Sequence, residues 1–128
     1  MAGARRRESR AVPLRGFGAV TVGEVRWVEM PARGGRAQAG RRPAVVVQSA
    51  GDLPTVLVIP LTSQLDALRF AGTVLVEADA HNGLRRPSVA LVFQLTAVDR
   101  RHVAERLGSI SKEVLEEIWS ALDKLTGR

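Results

Sequence analysis

At 128 residues, with 45% hydrophobic and 25% charged side chains, the chain has the size of one domain with a buried core. It has no cysteine, which excludes disulfides, thiolate metal sites and cysteine nucleophiles. The net charge of +6 is placed unevenly: residues 1–50 carry ten arginines against three acids, whereas residues 51–128 carry nine basic residues against ten acids.

Seventeen arginines to two lysines put most of the positive charge on the side chain best suited to phosphate. A polyanion is the partner this favours, nucleic acid first. An arginine-rich genome would raise the same count. No apolar run approaches the roughly 20 residues that cross a bilayer as a helix, so no membrane partner is expected. Arg5-Arg6-Arg7 imitates the start of a signal peptide, but no continuous apolar stretch follows. Secretion is therefore not expected, and the cytoplasm is the expected compartment.

Residues 1–20 read as a basic, disordered tail and residues 21–128 as one domain. Gly23 to Glu29 alternates polar and apolar residues, as a half-buried strand does. Val25, Trp27 and Met30 would face one way, Arg26 and Val28 the other, with Trp27 in the core rather than stacking on a base. Pro31 to Arg42 reads as a loop of about a dozen residues, a length often kept for function. It holds Arg33, Arg36 and Arg41 around Arg42, and it lacks the Gly-Lys-Ser/Thr ending of a Walker loop.

Two apolar runs follow, and they predict strands over 44–49 and 55–61 with both faces covered. Gln64 to Phe70 reads as a short helix or an irregular crossing, and Thr73 to Val76 as a strand. Asp79 to Pro87 is turn-rich. Ser88 to Val98 reads as one long strand, Asp99 to His102 as a single helical turn, and Glu105 to Ile110 as a closing strand. Ser111 is a good N-cap. Beyond it, Leu115, Ile118, Leu122 and Leu125 recur at helical spacing up to Gly127. The crossings are too short for parallel βαβ units. The expected fold is mainly β with a C-terminal helix, a curled antiparallel sheet close to a small barrel.

Arg42 stands where the first apolar strand begins, and Thr62 where the second ends. An antiparallel hairpin brings those positions together. A guanidinium beside a hydroxyl is a candidate phosphodiester site; two ordinary polar strand ends are the other reading. His81 and His102 are not at metal-ligand spacing and have no carboxylate cluster beside them, so neither a metal nor a cofactor is expected. No nucleophile elbow is present. Arginine, hydroxyl and amide chemistry remains. It suits RNA cleavage by the substrate's own 2′-hydroxyl, which needs alignment and charge stabilisation from the protein.

From Gly23 to Leu125 the sequence resembles the MazF/PemK family of toxin ribonucleases. The family opens with Gly-Asp/Glu-hydrophobic-aromatic, here Gly23-Glu24-Val25-Arg26-Trp27. Its loop G-x-E-Q-x-G-x-R-P reads Gly35-Arg36-Ala37-Gln38-Ala39-Gly40-Arg41-Arg42-Pro43. Ile59-Pro60-Leu61-Thr62-Ser63, Pro87-Ser88-Val89 and Gln94-Leu95-Thr96-Ala97-Val98-Asp99 follow in the family's order, and the ending Arg106 to Ser111 matches too. The resemblance implies an SH3-like small antiparallel barrel that forms a homodimer. It implies metal-independent, sequence-specific cleavage of single-stranded RNA, and a cognate acidic antitoxin. Arg42 and Thr62 match the catalytic pair. Arg36, Gln38, Arg41, Ser63 and Gln94 are the expected RNA contacts. Ala37 departs from a common Glu, Arg36 from a common Ser and Thr96 from a common Arg. Two alternatives stand beside the nuclease: a non-catalytic barrel of this fold that inhibits a protein such as DNA gyrase, and an RNA-binding barrel that has lost cleavage.

Overall fold

The computed structural model describes residues 19–30 and 40–128. The expected disordered tail, apart from Ala19 and Val20, lies outside the described residues, as do Arg36, Ala37 and Gln38.

Seven strands are described: β1 (Glu24–Met30), β2 (Gly40–Gln48), β3 (Thr55–Thr62), β4 (Thr73–Val76), β5 (Ser88–Leu91), β6 (Thr96–Asp99) and β7 (Val103–Ser109). Helix α1 (Lys112–Thr126) follows. The sheet runs β4-β5-β3-β2-β1-β7, with β6 also on β3, and every pairing is antiparallel. β4 and β7, at the ends of this path, are not paired with each other, so the sheet curls without hydrogen-bonded closure.

β3 is the shared strand. Its valines and isoleucine suit a pleated surface covered on both faces. Ile59 and Leu61 join Val45 and Val47 of β2 in one core, under α1, while Val56 and Val58 join Ala44 and Val46 in a second core on the opposite face. The two continuous apolar runs are thus buried on both sides, as expected. Each valine fully removed from water contributes roughly 1.5–3 kcal/mol.

The expected strand from Ser88 to Val98 is broken. β5 sets Val89 opposite Thr62; continued unbroken, that register would set Phe93 opposite Val58. β6 sets Thr96 there instead. A 3-10 turn at Val92–Gln94 takes up the difference. It drops Val92 into the core at 1% exposure and leaves Phe93 and Gln94 outside.

β1 also differs from expectation. Arg26 shares a buried stretch with Val25 and Val28 and is 1% exposed. Its Nε donates to Glu24 Oε1 at 3.0 Å, Nη1 to the Ala104 carbonyl at 2.9 Å and Nη2 to the Ala19 carbonyl at 3.2 Å. Glu24 also accepts from Arg106 Nε at 3.1 Å and from the Thr21 backbone N–H at 3.0 Å. A buried charge is tolerated when it is paired and its donors are satisfied in this way.

The loop between β4 and β5 is held by its own side chains. Asn82 is 2% exposed. Its Oδ1 accepts from the Asp79 and Leu84 N–H groups, and its Nδ2 donates to the Glu77 carbonyl at 2.8 Å. Asp79 Oδ1 accepts from the N–H groups of His81 and Asn82, both at 2.8 Å. The loop lies flat on β7 because Gly108 has no side chain: a Cβ there would stand 2.2 Å from the His81 carbonyl oxygen.

Ser111 caps α1, accepting from the Val114 N–H at 3.1 Å, and Gly127 ends it in the left-handed region at φ 81°. Ile118 is its fully buried residue, with Leu115 and Leu122 packed at the core edge.

Candidate active site

The pairing of Ala44 with Pro60 fixes what lies at the end of the β2–β3 hairpin. Two residues further out on each strand stand Arg42 and Thr62, and both line a single cleft of about 400 Å³. That volume is within the usual range for a ligand site. The Gln64 backbone N–H donates to Thr62 Oγ1 at 3.1 Å. With an acceptor position of the oxygen occupied, the hydroxyl proton can be given to a ligand. Ser63, exposed, adds a second hydroxyl to the same wall.

β1 builds the next wall. Its register sets Trp27 opposite Pro43 and Val28 opposite Arg42. Trp27 is half-buried and faces the cleft, so it is not the core residue its alternation suggests. Trp27 has the same sheet parity as Val25 but stands past the end of the packed region. The Arg41 guanidinium lies 5.3 Å from the centre of the Trp27 ring, and its Nη2 meets Glu105 Oε1 at 2.6 Å. The Arg41 hydrogen bond holds the Glu105 carboxyl below its ordinary pKa, helped by a backbone hydrogen bond.

The third wall is the end of the β4–β5 loop, with Leu84, Arg85, Arg86 and Ser88, beside Leu107 of β7. Four arginines therefore line the cleft. No carboxylate or imidazole lines it among the described residues. Nor do the described residues contain a group of three or more histidine or acidic side chains able to hold a metal ion.

Of the residues singled out in the sequence, the structure brings together Arg42, Thr62, Arg41 and Ser63. It does not bring Gln94 to them. The 3-10 turn carries Gln94 to the surface next to Phe93, whose N–H is bonded to the Gly72 carbonyl at 3.2 Å, away from the lining of the cleft. Arg36 and Gln38 lie outside the described residues. Sequence reasoning passed over Arg85 and Arg86, and it weighed Trp27 for the core against stacking on a base and chose the core. Two adjacent arginines in a turn-rich loop just before a strand were the available signal.

Residues 21–126 match the family model described as PemK-like, MazF-like toxin of type II toxin-antitoxin system. Endoribonuclease EndoA of Bacillus subtilis (strain 168) is 26% identical over 106 residues, which is 80% of this chain and 90% of that protein. A crystal structure of MazF from Deinococcus radiodurans superposes with a TM-score of 0.71 at 28% identity, covering 86% of this chain and 98% of that one. A crystal structure of MazE-MazF from the same organism gives a TM-score of 0.66 at 28% identity, covering 85% and 96%.

Proposed function

The chain belongs to the PemK-like, MazF-like toxins of type II toxin-antitoxin systems, and from that premise we propose that it is an endoribonuclease that cuts single-stranded messenger RNA. The observation that carries the reading is the meeting of Arg42 and Thr62 in one arginine-lined cleft. The name and extent of the EndoA relative support it.

In this reading the nucleophile belongs to the substrate. The 2′-hydroxyl gives its proton to water as its oxygen attacks the adjacent phosphorus, the bond to the 5′-oxygen breaks, that oxygen takes a proton from water, and the products are a 2′,3′-cyclic phosphate and a 5′-hydroxyl. Thr62 donates to a non-bridging oxygen and orients the phosphate. Arg42 offsets the charge that grows on the phosphorane and on the departing oxygen. Guanidinium groups donate and do not accept, so the arginines of the cleft contribute alignment and charge rather than proton abstraction. No step requires a metal ion, and cleavage is sequence-specific, with cleft shape selecting unstacked bases. Arg36, Gln38, Arg41 and Ser63 contact the RNA around the scissile phosphate. The protein acts in the cytoplasm as a homodimer. A cognate acidic antitoxin covers the cleft, a partnership supported by the MazE-MazF pairing of the Deinococcus relative.

The test is incubation of the purified protein with a single-stranded RNA in excess chelator, followed by chemical mapping of the new ends. The expected ends are a 2′,3′-cyclic phosphate and a 5′-hydroxyl. Cleavage that appears only with added divalent ions, or 5′-phosphate ends, would overturn the mechanism.

A further inference from the structure

Among the described residues, Arg26, Arg69, Arg100, Arg101, Arg106 and Arg128 each give their guanidinium to a carboxylate or a backbone carbonyl. Arg41 in the cleft is held by Glu105. Arg85 and Arg86 are different. Both are exposed, both line the cleft, and neither side chain has a hydrogen-bonding or ionic partner among the described residues. Two like charges on adjacent residues repel, and no side chain among the described residues pairs with either.

The loop that carries them is nevertheless fixed. Asn82 and Asp79 satisfy its backbone from inside, and the Gly108 surface of β7 seats it. Unpartnered donors on a fixed segment are pre-organised for a ligand, because little ordering is left to oppose binding. Their place along the cleft is set by β5. Val89 pairs with Thr62, and Arg86 stands three residues earlier, in the bend that precedes β5, no more than about 10 Å from Val89. They line the same cleft as Thr62 from the wall formed by the β4–β5 loop, so a strand held at Thr62 can run past them.

Resting on the reading of the cleft as an RNA-cleaving site, we infer that Arg85 and Arg86 form a second phosphate subsite. It holds the backbone phosphate of a nucleotide flanking the scissile bond. The two arginines are positioning residues: they fix the register of the strand while Arg42 and Thr62 meet the reacting group. The ligand chemistry is an RNA phosphodiester with at least one phosphate beyond the one that is cut.

The experiment compares the parent with R85A/R86A and R85K/R86K. Binding is measured on an oligonucleotide with a 2′-deoxy residue at the cut site, so that affinity is read without cleavage. Each phosphate no longer neutralised lowers the slope of log affinity against log salt by about 0.7 on a single strand, so the double alanine variant, which gives up one phosphate, should lose roughly 0.7. Its affinity at low salt should fall by about tenfold or more per contact. The lysine variant should keep most of the slope and recover only part of the affinity, since it keeps the charge but not the fork. On the all-ribose RNA, KM should rise more than kcat falls, and the loss should be larger on a long oligonucleotide than on a dinucleotide with the scissile phosphate alone. A parent-like salt slope in the alanine variant would overturn the subsite. So would an equal loss on the long and the minimal substrate. Binding is scored without cleavage, so a parent that binds but does not cut counts against the nuclease reading and leaves the subsite's own result standing.

Discussion

Inside the sheet, Arg26 is 1% exposed and gives donors to Glu24, Ala104 and Ala19. At the cleft wall, Arg85 and Arg86 are exposed and give none to the described residues. The side-chain chemistry is the same in both regions. The difference lies in what the fold places opposite it. Where β1 turns a guanidinium toward Glu24 and two carbonyls, the charge is bound into the structure. Where the β4–β5 loop turns two guanidiniums into a cleft, the charge is left for a ligand. The fate of donor groups therefore separates architecture from function better than the count of positive residues does.

Changes in the cleft should alter chemistry without altering stability, and changes around Arg26 should do the reverse. The largest expected effect is on the substrate side. Replacing the ribose at the cut site with 2′-deoxyribose removes the nucleophile and should abolish cleavage while binding persists, as read by gel analysis beside anisotropy. Arg26→Met tests the other region. It leaves a buried carboxylate short of a partner and two carbonyls unpaired, and should lower stability by about 3–5 kcal/mol in urea melts. The cleavage rate per folded molecule should change little.

Asn82→Ala lies between the two regions. It strips the hydrogen bonds that shape the loop, which should cost about 1–3 kcal/mol. RNA affinity should fall as well, although Asn82 does not line the cleft. A melt and a binding curve on the same preparation read both effects.

The smallest effect is at the surface. Asp99 is held down to about 2, chiefly by the Arg101 side chain's hydrogen bond and then by its backbone N–H, from an ordinary value of 3.8. A lowered folded-state pKa gives stability that is present above the unfolded value and is lost as pH falls through the folded one. Asp99→Asn should therefore flatten the acid limb of the melting profile between about pH 4 and 2, with a small loss of stability at pH 5 to 8, where the parent has the full contribution, and little difference from the parent at pH 2.

The hairpin that joins Arg42 to Thr62 was legible in the sequence because two continuous β-branched runs with a short turn between them admit few arrangements. The C-terminal helix was legible from its cap and spacing. Three features were not. Arg26 reads as polar in an alternating strand, and only tertiary partners 78 and 7 residues away make it a buried group. The break at Val92–Gln94 comes from the register each half keeps against β3, a non-local constraint that an unbroken apolar run does not reveal. Arg85 and Arg86 reach the cleft because the loop before them folds onto β7, a contact that depends on the absence of a Cβ at Gly108.

The account depends on the Arg42–Thr62 corner acting on the phosphate. Its most direct test is the cleavage rate of a defined single-stranded RNA by Arg42→Ala and Thr62→Ala, each first shown to melt like the parent. The expected result is a fall of about a hundredfold to a thousandfold for each, the usual cost of a lost transition-state donor. Variants that fold normally and cut within a few-fold of the parent rate would contradict it.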